Sequence, residues 1–159
     1  ATKSAHTRYG VSSGATGRKW ELFYDRFDCA KEPNEPFRFG WVVEIDPFDP
    51  DFVPVKRTAL GRAKHEAATV ALAKDGRVVV YSGDDQQFDY VYKFVSNQVY
   101  DDKPGANRDE ERRSRNRRLL DDGTLYVAKF HDDNTGVWIP LSMSNPLNRS
   151  GARAAATER

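Results

Sequence analysis

The sequence has one cysteine, one methionine and no long apolar run in its 159 residues. The single cysteine, Cys29, excludes an intrachain disulfide framework and a cysteine-rich zinc site. The longest apolar runs, WVVEI and RVVVY, have the length of strands and fall far short of the roughly 18 to 20 residues that cross a bilayer. We therefore expect a soluble chain without a membrane partner, in which Cys29 is a half-buried structural residue.

An excess of charge of one sign is also missing, since 25 Lys and Arg balance 24 Asp and Glu. This balance removes the overall electrostatic footprint of a nucleic-acid binder, so such a role would need a local patch. The one dense patch lies between residues 101 and 122, where six arginines are interleaved with acids. They are Arg108, Arg112, Arg113, Arg115, Arg117 and Arg118. With no aromatic residue there to stack a base, we predict a solvated loop or a short exposed helix and no nucleic-acid partner; phosphate or nucleic-acid contact is the alternative.

Several sequence motifs of enzymes are absent. The chain has no glycine-rich phosphate loop, no nucleophile elbow and no His-Glu-x-x-His motif, which disfavours those enzyme classes. It begins with Ala1 and shows no export signal, so we expect either a processed chain or an internal piece of a longer one.

Short runs of β-branched and aromatic residues, separated by Pro, Gly and Asp, predict an all-β fold. The predicted strands cover residues 40–46, 55–60, 68–73, 77–82, 89–96, 124–130 and 136–141. Asp75-Gly76 predicts a type I′ hairpin turn, and the apolar residues on both sides of DYVYKFVS (89–96) predict that both faces of that strand are covered. Residues 1–19 are predicted to be a flexible segment, 20–141 the folded part and 142–159 a disordered tail. Spacing alone does not separate a propeller from a sandwich or a barrel.

The densest group of chemically useful side chains is the segment GRAKHEAAT at 61–69. Charged groups crowded at the start of a strand are costly to desolvate unless they are paired, liganded or hydrated. Glu66 can bind a hard cation, Arg62 or Lys64 can hold a phosphate oxyanion, and His65 can ligate a metal or transfer a proton. A hydrated loop with a local ion pair explains the same residues.

Pairs of adjacent aspartates occur in three short segments that contain or adjoin a glycine. Asp84 and Asp85 come directly after Gly83 and can supply oxygen ligands to calcium, although turn formation is the commoner role of such aspartates. The segments 121–123 and 132–136 resemble calcium loops in composition but lack the spacing of an EF-hand, so we predict hairpin turns for both.

Four blocks of the sequence resemble one family. RFDCAKEPNEPFRFGWVVEIDPFDP (26–50), PVKRTALGRAKHEAATVALAKDGRVVVYSGDD (54–85), FDYVYKFVS (88–96) and LLDDGTLYVAKF (119–130) closely resemble the PhoX-type bacterial alkaline phosphatases. The blocks follow one another in order through most of residues 20–141.

The resemblance implies a large β-propeller enzyme that hydrolyses phosphate monoesters with a mixed iron and calcium cluster. It also implies export by the twin-arginine route to the periplasm or beyond, and a monomeric parent. This chain would be an internal segment of about two blades, catalytically inactive by itself. A non-catalytic, calcium-stabilised propeller module is the alternative.

The resemblance implies one site residue directly, because the block that resembles GRAKHEAAT supplies a glutamate ligand to the metal cluster, and the matching position is Glu66. The family's metal-binding cysteine and its phosphate-side arginine lie in Thr-Cys-Glu-Glu and Arg-Pro-Glu segments that this chain lacks. Cys29 therefore does not inherit the cysteine's role. Ala63 and Ala67 stand where the family usually has Phe and Gly, and a methyl group at Ala67 would be strained if that position needed a positive φ.

Overall fold

The computed structural model describes residues 6–11, 16–103 and 109–142. The chain divides into two compact units, residues 1–40 and residues 41–159. The boundary between the units lies at Gly40–Trp41, about twenty residues beyond the predicted start of the folded part. Apart from Ser142, the tail predicted to be disordered lies outside the described residues, as does part of the N-terminal segment predicted to be flexible.

Among the described residues of the first unit are three short 3-10 helices, Trp20–Leu22, Asp25–Phe27 and Glu35–Arg38. Its Glu35 side chain is only 9% exposed and accepts a hydrogen bond from Nε of Arg26 at 2.9 Å. The unit also holds Cys29, which is a half-buried free thiol, as predicted. Because Glu35 is paired with a guanidinium, its burial does not leave an uncompensated charge.

The second unit is built of antiparallel strands, which confirms the all-β prediction. Its small sheet pairs β1 (Val43–Glu44) with β2 (Val55–Lys56). Its main sheet is a five-stranded meander in sequence order. The strands are β3 (Thr69–Leu72), β4 (Arg77–Gly83), β5 (Val91–Val99), β6 (Gly123–Phe130) and β7 (Gly136–Pro140), with the helix α1 (Asp109–Asn116) inserted between β5 and β6. The described residues form no closed barrel or propeller.

The first two predicted strands are much shorter than expected. Residues 40–46 contribute only the two residues of β1, and residues 55–60 only the two of β2, because Thr58–Leu60 form a 3-10 helix. Prolines at 47, 50 and 54 lack the N–H that a strand ladder requires, so the pairing cannot extend along the connection between the two strands. The prediction was wrong in length because β-propensity does not report where a pairing partner ends.

The hairpin between β3 and β4 forms where predicted but with a different turn. Gly76 has φ +84°, whereas Asp75 is not among the residues with positive φ, so a type I′ turn is excluded. The Gly76 N–H instead donates to the Ala73 carbonyl at 2.9 Å, and the Ala73 N–H donates to the Arg77 carbonyl at 2.9 Å. This is a three-residue loop that ends in a left-handed glycine.

The core lies on one face of the main sheet. Buried apolar side chains from β4, β5 and the segments before β3 and β6 form it: Leu60, Val78, Val80, Phe94 and Leu119. The opposite face carries exposed Tyr81, Val91 and Trp138 beside buried Val79 and Ala128. On β5 itself that face has exposed Val91 and half-buried Lys93 and Val95, so it is only partly covered.

The arginine-rich segment forms a short exposed helix, one of the two forms predicted for it. Within the described residues, Arg112 pairs with Asp109 at 3.0 Å, Arg115 with Asp101 at 3.2 Å and Arg117 with Asp46 at 3.3 Å. These arginines are thus partly neutralised by the chain's own acids. No helix in the described part of the chain is long and apolar enough to cross a membrane.

Candidate functional site

The segment 61–66 pairs with the end of β4 and brings the two predicted groups of ligands together. The Glu66 N–H donates to the Gly83 carbonyl at 3.1 Å, and the Asp85 N–H donates to the Lys64 carbonyl at 2.9 Å. Between these two bonds, His65 and Asp84 form an antiparallel bridge. Residues about twenty positions apart in sequence therefore become direct neighbours.

Gly61 sets the course of this segment. It has φ +84°, and a Cβ there would lie 2.9 Å from Cδ2 of Leu125. Only glycine combines that backbone conformation with so close an approach to β6. The chain thereby leaves the 3-10 helix Thr58–Leu60 and runs alongside β4.

The alternation of side chains in paired extended segments sorts the site residues into two sets. Lys64 and Glu66 share one side with Gly83 and Asp85, and a Cβ built on Gly83 would lie 4.0 Å from Cβ of Glu66. The other side carries His65, Ser82 and Asp84, where Nδ1 of His65 lies 2.6 Å from Oγ of Ser82.

The three acids differ in what their carboxylates contact. Asp84 accepts the Gln86 N–H at 3.1 Å, which is the turn-forming role. Glu66 and Asp85 are exposed, and within the described residues neither carboxylate has a hydrogen bond or ion pair. These two carboxylates are therefore available to a cation.

The basic residues of the segment contact other parts of the protein. Nζ of Lys64 donates to Oε1 of Gln86 at 2.6 Å, and Nε2 of His65 contacts the Gly61 carbonyl at 3.2 Å. Arg62 is paired through its backbone with Trp41. Their phosphate or metal roles stay predictions.

The described residues contain no group of three or more His, Cys, Asp or Glu side chains that could hold a metal ion. Within the described residues, Glu66 and Asp85 therefore form at most a share of a metal site.

The other acidic turns are satisfied internally. In the β6–β7 hairpin, which was predicted, the Thr135 hydroxyl and N–H donate to Asp133 and lower the pKa of that carboxyl. Residues 121–123, in contrast, connect α1 to β6 and do not form a hairpin turn, so that prediction was wrong. There Asp122 accepts a hydrogen bond from Asn97 at 2.7 Å.

Sequence reasoning missed Ser82, which is 7% exposed. The available signal was the one serine within the largely apolar strand RVVVYSG. Its importance depends on His65, seventeen residues earlier, and only the pairing of the two segments reveals it.

A family model for the alkaline phosphatase PhoX matches residues 1–158. The chain belongs to the PhoX family. A solved structure of Pseudomonas fluorescens PhoX, in complex with the transition state analogue vanadate, is 49% identical in sequence and superposes with a TM-score of 0.75. That comparison covers 87% of this chain and 24% of the P. fluorescens chain, so the chain spans about a quarter of the length of its PhoX relative. No curated protein matches the sequence.

One departure from the usual PhoX pattern has no backbone cost. Ala67 is not among the residues with positive φ, so the alanine in place of glycine is unstrained here. The other departure, Ala63 in place of Phe, is a buried position with 4% of its surface exposed.

Proposed function

We propose that this chain is a segment of a metal-dependent phosphomonoesterase of the PhoX type, which hydrolyses phosphate monoesters with iron and calcium. The observation that carries the proposal is the 49% identity to a PhoX structure that binds a transition state analogue. The proposal includes a partial β-propeller of about two blades, a monomeric parent, and a periplasmic or secreted location reached by twin-arginine export.

The donor chemistry at the end of β4 fits a hard cation. Glu66 and Asp85 lie on the same side of the paired segments, and calcium prefers carboxylate oxygens. Calcium takes about six to eight oxygen ligands, more than two carboxylates supply. The remaining ligands would come from parts of the longer protein beyond this chain.

The proposal gives each residue at this site a separate task. When bound, the metal ions would polarise the phosphate and neutralise charge that grows in the transition state. Glu66 holds the metal, with Asp85 as a second donor. Lys64 lies on the same side as Glu66 and presents a positive charge to a phosphate oxygen. Arg62, two residues earlier in the chain, is assigned to a second phosphate contact. Asp84 serves the turn, and His65 faces away from Glu66.

Glu66→Gln in the full-length protein tests the proposal. The substitution removes a negative charge and keeps the size, so bound metal and turnover of p-nitrophenyl phosphate are both expected to fall at least tenfold, or ~1.4 kcal/mol. Elemental analysis of the purified protein and initial rates measure the two effects. Glu110→Gln, on the exposed helix α1, is the matched control and leaves both unchanged. Wild-type metal content and turnover in Glu66→Gln would sink the assignment.

The isolated 159-residue chain is expected to have no phosphatase activity. Its described residues bring together no set of three metal ligands, so no complete cluster forms. Release of p-nitrophenol in the presence of calcium and iron, with a buffer blank beside it, is the measurement. Metal-dependent turnover by the chain alone would contradict the prediction.

A non-catalytic calcium-stabilised module is less well supported. Two features favour it, the Asp-Gly-rich turns and the lack of Thr-Cys-Glu-Glu and Arg-Pro-Glu segments in this chain. In the turns, however, Asp75 is bonded to Arg77 and Asp133 to Thr135. Those carboxylates are already used within the chain.

A further inference from the structure

A continuous set of hydrogen bonds connects the turn at Gly61 to the end of β4. Nε2 of His65 lies 3.2 Å from the Gly61 carbonyl oxygen, and its Nδ1 lies 2.6 Å from Oγ of Ser82. Ser82 lies in the sheet next to Gly83, whose carbonyl oxygen is 3.3 Å from the same Oγ. We call these four residues the Ser82 relay.

The side-chain hydrogen bonds end at Ser82, and the next residue along the strand, Gly83, holds Glu66. The Gly83 carbonyl accepts the N–H of Glu66 at 3.1 Å. The imidazole thus fixes the loop at both ends, at Gly61 and at β4, and Glu66 directly follows the imidazole in sequence. The backbone of Glu66 has little freedom to move away from Gly83 while these bonds are intact.

The donors and acceptors of the relay are compatible with one another. A carbonyl oxygen only accepts, so Nε2 of His65 carries the proton that is donated to Gly61. In the neutral ring, Nδ1 then accepts the hydroxyl proton of Ser82, which matches the short distance. With its one proton on His65, the Ser82 hydroxyl does not donate to the Gly83 carbonyl, which accepts the Glu66 N–H instead. The polar atoms of the relay therefore all have partners.

We propose that Ser82 and His65 are positioning residues that hold the peptide of Glu66 against Gly83, so that its carboxylate is presented to a metal ion. The proposal rests on the proposed function, in which Glu66 is a ligand. It assigns no ligand role to His65, which lies on the opposite side of the paired segments. Residues that orient a ligand from behind typically contribute about 10- to 100-fold to metal affinity.

Ser82→Ala in the full-length protein is the main test. After removal of metal with a chelator, the dissociation constant for calcium is measured by titration calorimetry and the melting temperature is measured without metal. Ser82→Ala is expected to weaken calcium binding about tenfold. Ser82→Thr keeps the hydroxyl and restores binding to within about threefold of wild type.

Two further variants separate positioning from general stability. Thr135→Ala also removes a hydroxyl with a 2.7 Å bond to a neighbour, Asp133, and leaves calcium affinity unchanged. His65→Phe removes the other half of the relay, and the double variant with Ser82→Ala binds calcium no more weakly than the weaker single variant, because both break the same connection. Losses that add up independently would overturn the relay.

The results distinguish the two proposals. The inference is wrong if Ser82→Ala lowers the metal-free melting temperature but binds calcium like wild type, whereas Glu66→Gln binds calcium more weakly than wild type. The Ser82 hydroxyl is then structural. If Glu66→Gln also binds like wild type, the ligand assignment itself fails.

Discussion

Replacing Gly123 with alanine is expected to lower the free energy of unfolding by about 3 kcal/mol. Gly123 begins β6 and pairs with Ser96 of β5. A Cβ at this position would overlap both the ring of Phe94 and the carbonyl oxygen of Val95. Phe94 is the most deeply buried large side chain of the core, and a backbone oxygen in a ladder cannot rotate away. Either the ring leaves its site or β5 and β6 separate.

Urea unfolding of the 159-residue chain, followed by tryptophan fluorescence, measures this effect. Gly83→Ala is the matched control, because Gly83 also lies at the end of a strand in the same sheet, without positive φ, and its nearest neighbour to a new Cβ is 4.0 Å away. The control should unfold within about 1 kcal/mol of wild type. Equal midpoints for Gly123→Ala and wild type would show that the close approach of β5 to β6 is absent.

Arg57→Met is expected to cost about 3 kcal/mol of stability. The Arg57 side chain is 4% exposed, and it donates from Nε to Glu44 at 2.7 Å and from Nη1 to Asp121 at 2.8 Å. It thereby joins the small sheet to the turn before β6. Burial alone would lower the pKa of the guanidinium, but the hydrogen bonds to Glu44 and Asp121 raise it above its ordinary value. The side chain is therefore charged throughout the pH range of interest.

The comparison variant is Arg77→Met, which removes an ion pair of the same 2.7 Å length to Asp75 at the surface. Exposed pairs contribute at most about 1 kcal/mol, so this variant should be nearly neutral. The expected loss of stability for Arg57→Met lies near the lower end of the range for breaking a buried ion pair. The reason is that Glu44 and Asp121 are partly exposed and can be rehydrated once the guanidinium is gone. Equal destabilisation by the two substitutions would mean that burial adds nothing at Arg57.

The sequence predicted the main sheet well and the first part of the second unit poorly. The patterns TVAL, RVVVYSG and GTLYVAKF gave strands close to β3, β4 and β6, because alternation and short turns are local properties. β1 and β2 are two residues each, since prolines interrupt the connection between them and the 3-10 helix Thr58–Leu60 closely follows β2. Where a strand ends depends on its partner, which the local pattern does not contain.

The candidate site shows the same division. The residue types were visible in the sequence, since Glu66 follows a cluster of basic residues and Asp84 and Asp85 follow a glycine. Their different roles were not visible. Asp84 closes a turn, whereas the carboxylates of Glu66 and Asp85 make no bond within the described residues.

By itself, the sequence determined the all-β class, the family and the candidate ligand Glu66, because composition, alternation and long matching blocks are properties of the chain read in order. Only the tertiary structure decided that residues 61–66 run against the end of β4, and that Ser82 and His65 meet there. The reason is physical: hydrogen bonds between distant segments depend on the positive φ of Gly61 and on the register of the pairing, and both are set by packing against Leu125 and β4.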